Sequence, residues 1–283
     1  MIFLKSIIFP KDKKRAYPFC VPSIYDISNV DFDKITIFAG SNGSGKSTLI
    51  NVIAEKLGAQ KALGNQSGSF HWFIEHCQCN YSLDEHYRLI PPVACKLIKS
   101  EDIMNTITDV RRGNEKIDKQ FSFAKGFADS EAGKLGYAEA TGAGMCDEDL
   151  TNDQRFMRSR LGDYNKAHQL EIIKKQEYSN GESAMQYFME TMLEENSLYL
   201  LDEPENSLSP MLQFELMKFI ADSVRFFNCQ FIIATHSPFL MSIKDSKIYD
   251  LDNIPVKTRE WYELENIKAY AGLFFENKTK FKV

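Results

Sequence analysis

The stretch that decides the fold is Ile35-Thr-Ile-Phe-Ala-Gly-Ser-Asn-Gly-Ser-Gly-Lys-Ser-Thr48, a β-branched and aromatic run that passes into a glycine-rich loop. Between Gly40 and Ser47, two glycines separated by four residues are followed by lysine and serine, which is the P-loop pattern. The residues that follow, as far as Leu57, are compatible with a helix that Gly58 closes. The stretch therefore predicts a strand, a glycine loop and a helix in that order.

The chemistry of this loop points to a nucleotide triphosphate. Glycines let backbone amides curl round phosphates, and a helix N-terminus adds positive potential. Lys46 would reach the β- and γ-phosphates, and Ser47 would supply a ligand to Mg²⁺. We therefore predict ATP and Mg²⁺ as cofactors, against the alternative of a glycine loop that holds nothing. The predicted nucleotide-binding residues of this loop are Gly40, Asn42, Gly43, Gly45, Lys46, Ser47 and Thr48.

A pair of carboxylates follows a second buried strand. Leu198 to Leu201 form a continuous apolar run, and Asp202 and Glu203 come directly after it. At the carboxyl end of a strand, where open α/β sheets bind ligands, Asp202 is a candidate ligand to Mg²⁺. Glu203 is a candidate to orient or deprotonate the attacking water. The alternative is an acidic pair that only caps the turn before Pro204.

A histidine follows the next apolar run along the chain. The run from Gln230 to Ala234 predicts a strand, and the apolar spacing between Met211 and Phe227 predicts a helix that connects it to the previous strand. His236 would then lie at the same edge of the sheet as the carboxylates. A neutral imidazole there is a candidate sensor of the γ-phosphate, and we place it with Glu203 among the catalytic residues. The alternative is a histidine with a structural role alone.

These elements predict an α/β P-loop NTPase fold in which helices flank a mixed sheet. Because the strands lie far apart in the sequence, we expect one domain over 1–283 that carries an inserted lid or helical subdomain over 59–175. Seven of the 15 glycines fall between Arg111 and Asn165, without a sustained apolar period, so we expect 111–165 to be mobile or loosely packed. We expect the tail after His236, with Trp261 and Tyr262, to pack on the domain.

Composition and charge exclude several classes of protein. Hydrophobic residues make up 43% of the chain and charged residues 26%, which excludes a disordered or collagen-like chain. The net charge of -5 argues against binding nucleic acid through bulk charge. Three basic groups remain candidates to face DNA or RNA, although solvated faces are the simpler reading. They are Lys11 to Arg15, then Arg111, Arg112, Lys116 and Lys119, then Arg155, Arg158 and Arg160.

The compartment and a possible metal site are also open to prediction. No apolar run approaches the ~18 to 20 residues that cross a bilayer, and the N-terminus does not read as a signal peptide. We therefore expect a cytoplasmic protein with reduced cysteines and no membrane partner. A cluster of candidate zinc ligands comprises His71, His76, Cys77, Cys79, His86 and Cys95. The spacing from His71 to Cys79 does not match the usual zinc pairs, so core or surface roles are favoured for these residues.

The order of the motifs resembles that of ABC-type ATPases. The P-loop is followed by Ser179-Asn-Gly-Glu-Ser183 ahead of a helix, by the carboxylate pair, by Glu205-Asn-Ser-Leu-Ser-Pro210 and by His236. The chain looks like the RecF/SMC-like branch, in particular its compact predicted AAA-family ATPases, whose N-terminal Tyr-Pro-Phe-x-x-Pro segment resembles Tyr17 to Pro22. The resemblance covers about 1–58 and 176–270.

The resemblance implies a composite site between two subunits that meet head to tail. By position, Ser179 and Gly181 would contact ATP held by the other subunit, while Asn206 and Ser207 would couple the two sites. The alternative is a Ser-Asn-Gly turn that merely caps a helix. For the loop that carries a glutamine in this family, the candidate residue is Glu101, ahead of Gln78 and Gln66. Arg15 and Tyr17 are the candidates for contacts with adenine.

The functional prediction is an ATP-binding and ATP-hydrolysing switch. ATP would join two subunits into a homodimer and hydrolysis would release them, so that the pair drives an effector such as a nuclease. Family resemblance suggests DNA maintenance or anti-phage defence. The alternative is the nucleotide-binding subunit of a membrane transporter, and Asn180 and Ser183 stand where the transporter signature carries glycine and glutamine.

Overall fold

The computed structural model describes residues 1–10, 18, 21–61, 71–128, 146, 149, 151, 155 and 180–280. The chain divides into two compact units. One combines Met1–Met104 with Ser179–Val283, and the other is Asn105–Tyr178. The larger unit is therefore built from two segments that are distant in the sequence, as the spacing of the apolar runs suggested.

In chain order, the described strands are β1 (Leu4–Ile8), β2 (Asn29–Asp31), β3 (Ile35–Ala39), β4 (Gln60–Lys61), β5 (Gln78–Tyr81), β6 (Cys95–Lys99), β7 (Leu198–Asp202), β8 (Gln230–Thr235), β9 (Lys247–Asp250) and β10 (Lys257–Arg259). The described α-helices are α1 (Pro22–Asp26), α2 (Lys46–Leu57), α3 (His71–His76), α4 (Ser100–Ala128), α5 (Asn180–Thr191), α6 (Pro210–Phe226), α7 (Pro238–Met241) and α8 (Glu265–Glu276). Short 3-10 helices cover Pro204–Ser207, Trp261–Glu263 and Lys278–Lys280.

The central sheet has the strand order β10-β9-β3-β8-β7-β6-β4. Its strands run parallel except β10, which is antiparallel to β9. Every residue of β3, β7 and β8 is buried, which explains why these strands are continuous apolar runs and not alternating ones. A second, antiparallel sheet has the order β2-β1-β5. The predicted α/β fold with a mixed sheet and flanking helices is confirmed.

Strand register brings the predicted motifs to one edge of the sheet. Asp202 at the end of β7 pairs with Ala234 in β8, and Thr235 pairs with Ala39 at the end of β3. Because these strands are parallel, the residues after them leave the sheet on the same side. The P-loop, the carboxylate pair and His236 therefore converge although they lie far apart in the sequence.

Helix α2 lies in the hydrophobic layer that the two sheets share. Its buried side chains join one core cluster with residues of β1 and β2 from the small sheet and of β6, β7 and β8 from the central sheet. The helix ends at Gly58, whose φ of 64° is the left-handed conformation that closes helices at low cost to glycine. This packing fixes the end of α2 at which the P-loop sits.

One buried amide connects the two sheets by hydrogen bonds. Gln230 in β8 is fully buried, and its Oε1 accepts from the backbone N–H groups of Phe3 and Leu4 at 2.8 and 2.9 Å. Its Nε2 donates to the carbonyl oxygens of Leu4 and Asp33 at 2.9 and 3.1 Å. All four hydrogen-bonding positions of the amide are used, so burying this polar group carries little penalty.

The predicted insertion of 59–175 is wider than the second compact unit. Residues 60–99 contribute β4 and β6 to the central sheet and β5 to the small sheet. Within the predicted excursion of 111–165, helix α4 continues as far as Ala128, and most of the remainder lies outside the described residues. In the part of the chain that is described, no helix is both long and apolar enough to cross a bilayer.

The chain after β10 differs from expectation in its packing. Ile267 is the buried residue of α8. Several large apolar side chains of this region are exposed, among them Tyr262, Tyr270, Leu273 and Phe275. The tail is therefore ordered as a helix, but most of its apolar surface is not buried against the described residues.

Candidate functional site

The P-loop takes a conformation that requires glycine. Gly43 and Gly45 have φ angles of 83° and 102°, in the left-handed region that L side chains avoid. A Cβ on Gly45 would also lie 2.7 Å from Val21 Cγ1 and 2.8 Å from Ser23 Oγ. The hydroxyl of Ser23, in α1, donates to the carbonyl oxygen of Ser44. Helix α1 thus packs directly against the loop and leaves no room for a side chain at Gly45.

Lys46, the first residue of α2, is buried inside the loop with 3% of its surface exposed. Its Nζ donates to the carbonyl oxygens of Gly40 and Ser41, both at 3.0 Å. It also lies 3.6 Å from Glu203 Oε1. The ammonium group is therefore held at the centre of the loop and next to the carboxylate predicted to handle the attacking water.

The predicted magnesium ligands are in contact with each other. Ser47 Oγ donates to Asp202 Oδ1 at 2.9 Å, across 155 residues of chain. Burial raises the pKa of Asp202 above its ordinary value, although the hydrogen bond from Ser47 and the charges of Lys99 and Lys46 oppose the change. Burial destabilises the charged form of a carboxylate, and a bound cation would stabilise that form.

These two oxygens fit Mg²⁺, which prefers hard oxygen ligands and takes few from the protein when phosphates supply the rest. Ser47 and Asp202 would hold the ion, which would neutralise charge on the phosphates. Among the described residues, no group of three or more His, Cys, Asp and Glu side chains could form a separate metal cage. Cys77, Cys79 and Cys95 are free thiols, and burial raises the pKa of Cys77 and Cys95 to about 12.

Glu203 occupies an unusual backbone conformation. Its φ and ψ of 48° and 53° are left-handed, which is costly for a non-glycine residue and marks a position where the surroundings impose the conformation. Its N–H donates to Ala234 O at 2.9 Å, and its Oε2 accepts from Asn206 Nδ2 at 3.0 Å. With a quarter of its side chain exposed, Glu203 is both anchored and open to water.

His236 lies directly after β8, as predicted, with 44% of its side chain exposed. Its neighbour is Glu205, a buried residue of the 3-10 helix that follows β7. Glu205 Oε1 accepts from Thr235 Oγ1 and from the backbone N–H of His236, both at 2.7 Å. The same oxygen lies 3.2 Å from His236 Nδ1. Glu205 belongs to the predicted motif from Glu205 to Pro210, but the motif alone indicates no role for this carboxylate.

The structure adds Lys99 to the site. Lys99 ends β6 and pairs in register with Asp202 at the end of β7, so both side chains lie on the face of the sheet that carries α2. The next residue, Ser100, has its Oγ 3.5 Å from Asn206 Nδ2. Of the glutamine-loop candidates, Glu101 is exposed in the first turn of α4, Gln78 lies in the small sheet and Gln66 lies outside the described residues.

Asp252 is a second residue that the sequence did not reveal. Its carboxylate accepts from the Ser41 N–H through Oδ1 at 2.8 Å and Oδ2 at 2.9 Å, and from Ser41 Oγ at 2.7 Å. Asp252 follows β9, which pairs with β3. The carboxylate therefore anchors the start of the P-loop, and only knowledge of the strand order would have found it.

Of the remaining predicted site residues, some are described by the structure and others lie outside the described residues. Asn42 is exposed on the loop and Thr48 lies in the first turn of α2. Gly181 is in the first turn of α5, where a Cβ would lie 2.7 Å from Cδ1 at the end of the Leu212 side chain in α6. Ser179, Arg15 and Tyr17 lie outside the described residues.

Comparison with known proteins identifies a domain family. Residues 114–242 match the family described as "AAA domain, putative AbiEii toxin, Type IV TA system". The matched segment contains the carboxylate pair and His236, while the P-loop precedes it. The match covers less than half of the chain and agrees with the resemblance to AAA-family ATPases that the motifs carry. No curated protein sequence matches the chain.

Three solved structures are similar to the chain. The Smc head domain of Pyrococcus furiosus, with an extended coiled coil and bound to the C-terminal domain of ScpA, is 13% identical with a TM-score of 0.44, covering 96% of this chain and 100% of that one. The SMC head domain of Thermotoga maritima is 15% identical with a TM-score of 0.37, and the match covers 92% of this chain and 99% of that one. Stu0660 of Streptococcus thermophilus is 12% identical with a TM-score of 0.40, covering 87% and 74%.

Proposed function

We propose that the chain binds and hydrolyses ATP as a cytoplasmic switch, that two copies associate head to tail around ATP, and that the pair drives a partner effector. The observation that carries the proposal is the meeting of four side chains at one edge of the sheet. Ser47 contacts Asp202 at 2.9 Å, and Lys46 lies 3.6 Å from Glu203. These are the groups that phosphate binding, Mg²⁺ binding and activation of water require.

The arrangement favours hydrolysis over binding alone. A scaffold that only binds nucleotide needs the loop and its lysine, but it does not need a carboxylate held in a strained conformation beside that lysine. Glu203 is such a carboxylate, because Asn206 and the Ala234 carbonyl fix its position at an energetic cost. With a quarter of its side chain exposed, the Glu203 carboxylate would orient a water for attack on the γ-phosphate.

The dimer is proposed because the resemblance implies a composite site, and two of the segments that would form it lie among the described residues. The helix N-terminus at Gly181 belongs to the predicted signature motif, and helix N-termini are suited to anions. Asn206 connects Glu203 to the segment that the resemblance assigns to the subunit interface. ATP bound at the P-loop of one copy would then be covered by the signature motif of the other.

The output of the switch is proposed from the resemblance and the family match. The matched family carries a toxin description, and the wider resemblance includes proteins of DNA maintenance and anti-phage defence. We therefore propose an effector protein, such as a nuclease, as the partner, with DNA or RNA as its target. Hydrolysis would reset the assembly after the effector has acted.

The first experiment measures the mass of the Glu203→Gln variant by light scattering, with and without Mg²⁺ and ATP. This variant retains the shape of the side chain, binds ATP and traps the state before hydrolysis, so we expect a monomer that becomes a dimer. Lys46→Ala is the control, because it should remain a monomer under both conditions. A mass that does not respond to ATP and equals one chain would overturn the homodimer, and recovery in complex with a membrane protein would instead favour the transporter alternative.

A further inference from the structure

The immediate surroundings of His236 contain a ring nitrogen and a carboxylate oxygen that are both buried and both without a hydrogen-bond partner. The Nδ1 atom of His236 is buried and makes no aligned hydrogen bond, although 44% of the side chain is exposed. The Oε2 atom of Glu205 is also buried without a hydrogen-bond partner. Since these atoms are shielded from water, each carries a desolvation penalty that a bond between the two residues would relieve.

The two groups are already close enough to join. Glu205 Oε1 lies 3.2 Å from His236 Nδ1, and a small rotation of the ring or of the carboxylate would align an N–H with either oxygen. Hydrogen bonds of catalytic groups are often long or misaligned before the substrate binds and tighten in the complex. The burial of both unpartnered atoms beside each other is what distinguishes this pair from an incidental contact.

Glu205 itself is held firmly enough to orient another residue. It has 5% of its surface exposed, and its Oε1 accepts from Thr235 Oγ1 and the His236 N–H at 2.7 Å each. Thr235 Oγ1 accepts in turn from the Ser237 N–H at 3.0 Å. Both the carboxylate and the backbone of the histidine are therefore fixed, which leaves rotation of the imidazole as the remaining freedom.

We propose that Glu205 is the positioning residue of His236: its carboxylate accepts the Nδ1–H of the ring, so that the Nε2 atom faces the open side of the site. Because Nδ1 is buried while 44% of the side chain is exposed, the exposed surface belongs to other atoms of the side chain. Fixing the proton on one nitrogen determines what the other nitrogen offers to a ligand. The kinetic part of this inference rests on the proposed ATP hydrolysis, whereas the orientation of the ring does not.

The primary test reads the proton position directly. The full chain is labelled with ¹⁵N-histidine, and long-range ¹H–¹⁵N correlation spectra are recorded above the titration range of the imidazole. His236→Asn identifies the signals of this ring among the five histidines. We expect the Nδ1–H form in the wild type and in Glu205→Gln, whose side-chain oxygen still accepts, and a loss of that preference in Glu205→Ala.

Thr235→Val is the matched control, because it removes another donor to the same carboxylate oxygen and leaves the ring untouched. We expect this variant to retain the Nδ1–H form. An Nε2–H ring in the wild type, or a preference unchanged in Glu205→Ala, would overturn the proposal. Should Glu205→Ala fail to fold, the wild type and the isosteric Glu205→Gln decide, since an Nε2–H ring in either contradicts the assignment.

The kinetic test separates positioning from binding. In Glu205→Ala we expect kcat for ATP to fall by about tenfold or more, as for other residues that orient a histidine, with the Kd for Mg-ATP changed by less than about threefold. Glu205→Gln should restore most of kcat. A wild type without turnover would refute the proposed hydrolysis and leave the spectra to judge the inference, while turnover that does not respond to Glu205→Ala would count against Glu205 alone.

Discussion

At the scale of single residues, the site is a set of charged groups that are stabilised by one another before any nucleotide is considered. Lys46 is satisfied by two loop carbonyls and a nearby carboxylate, and Asp202 is satisfied in part by the hydroxyl of Ser47. Both residues are buried, and for Asp202 burial raises the pKa, so its neighbours offset the cost of desolvation incompletely. Substitutions should therefore change binding and stability in different directions.

Lys46→Ala should abolish measurable ATP binding. The lysine is the cation in the loop, and loss of a buried charge partner for phosphate costs several kcal/mol, or roughly a factor of a thousand in affinity. Isothermal titration calorimetry with Mg-ATP measures the effect. The control is Lys96→Met, because Lys96 lies on the opposite face of the sheet, where it bonds the Thr191 carbonyl and Glu194. Equal affinity of Lys46→Ala and the wild type would refute the P-loop assignment.

Asp202→Asn should make the nucleotide-free protein more stable and less responsive to Mg-ATP. The pKa of Asp202 is raised in the folded state, so its charged form costs stability, and the cost is absent below the unfolded pKa and appears as the pH rises through the folded pKa. At pH 7 the neutral amide avoids this cost, and we expect a gain on the order of 1 kcal/mol.

Thermal unfolding at pH 7 and at pH 4 provides the check on Asp202. The advantage of Asp202→Asn over the wild type should shrink at the lower pH, where the carboxyl becomes neutral. The rise in Tm that Mg-ATP causes in the wild type should be smaller in the variant, because a ligand to the ion has been lost. A variant that is less stable than the wild type at both pH values would mean that the Ser47 contact outweighs the burial of charge.

At the scale of secondary-structure elements, the sequence predicted the buried strands through their uninterrupted apolar runs. The runs that became β3, β7 and β8 are predictable because strands buried on both faces have no polar positions. The helix after the P-loop was predictable from Gly58, and the residues at the strand ends followed from them. Those predictions depend on short stretches of chain alone.

The contacts between distant elements were not predictable in this way. Asp252 reaches Ser41 across 211 residues, and Lys99 reaches the end of β7 through a strand order that no local pattern encodes. Glu205 reaches His236 because β7 and β8 are neighbours. The tail was expected to pack on the domain because it is rich in apolar residues, yet Phe275 is 71% exposed. Apolar composition does not specify which surface buries a given side chain.

Gln230→Leu should destabilise the protein by separating β1 from β8. The substitution leaves the backbone N–H groups of Phe3 and Leu4 and the Leu4 carbonyl buried without partners, at about 1 kcal/mol or more each. We expect a loss of about 2 to 4 kcal/mol in the free energy of unfolding, measured by urea denaturation. Gln213→Leu is the comparison, since Gln213 lies in α6 outside the two sheets, and its loss should cost less. An equal loss of unfolding free energy in the two variants would contradict a particular stabilising role for the Gln230 contacts.

At the scale of the whole molecule, the chain is divided between a unit that carries every described catalytic candidate and a unit inserted between the P-loop and the predicted signature motif. This division predicts that replacing 105–178 with a short Gly-Ser linker will preserve nucleotide binding if the larger unit folds by itself. We expect Mg-ATP affinity within about tenfold of the wild type, measured by calorimetry after circular dichroism has verified the fold. Loss of binding by a folded deletion variant would show that the inserted unit takes part in the nucleotide site.

The position of β3 in the sheet affects when the protein can fold during its synthesis on the ribosome. Strand β3, which leads into the P-loop, has β8 and β9 as its neighbours, and both are made nearly 200 residues later. At synthesis rates of about 5 to 20 residues per second, a strongly apolar strand and its glycine loop wait roughly 10 to 40 seconds for their pairing partners. Ribosome-bound nascent chains that end before β8 should therefore be protease-sensitive and should recruit chaperones, and protection should arise abruptly once β8 has left the exit tunnel.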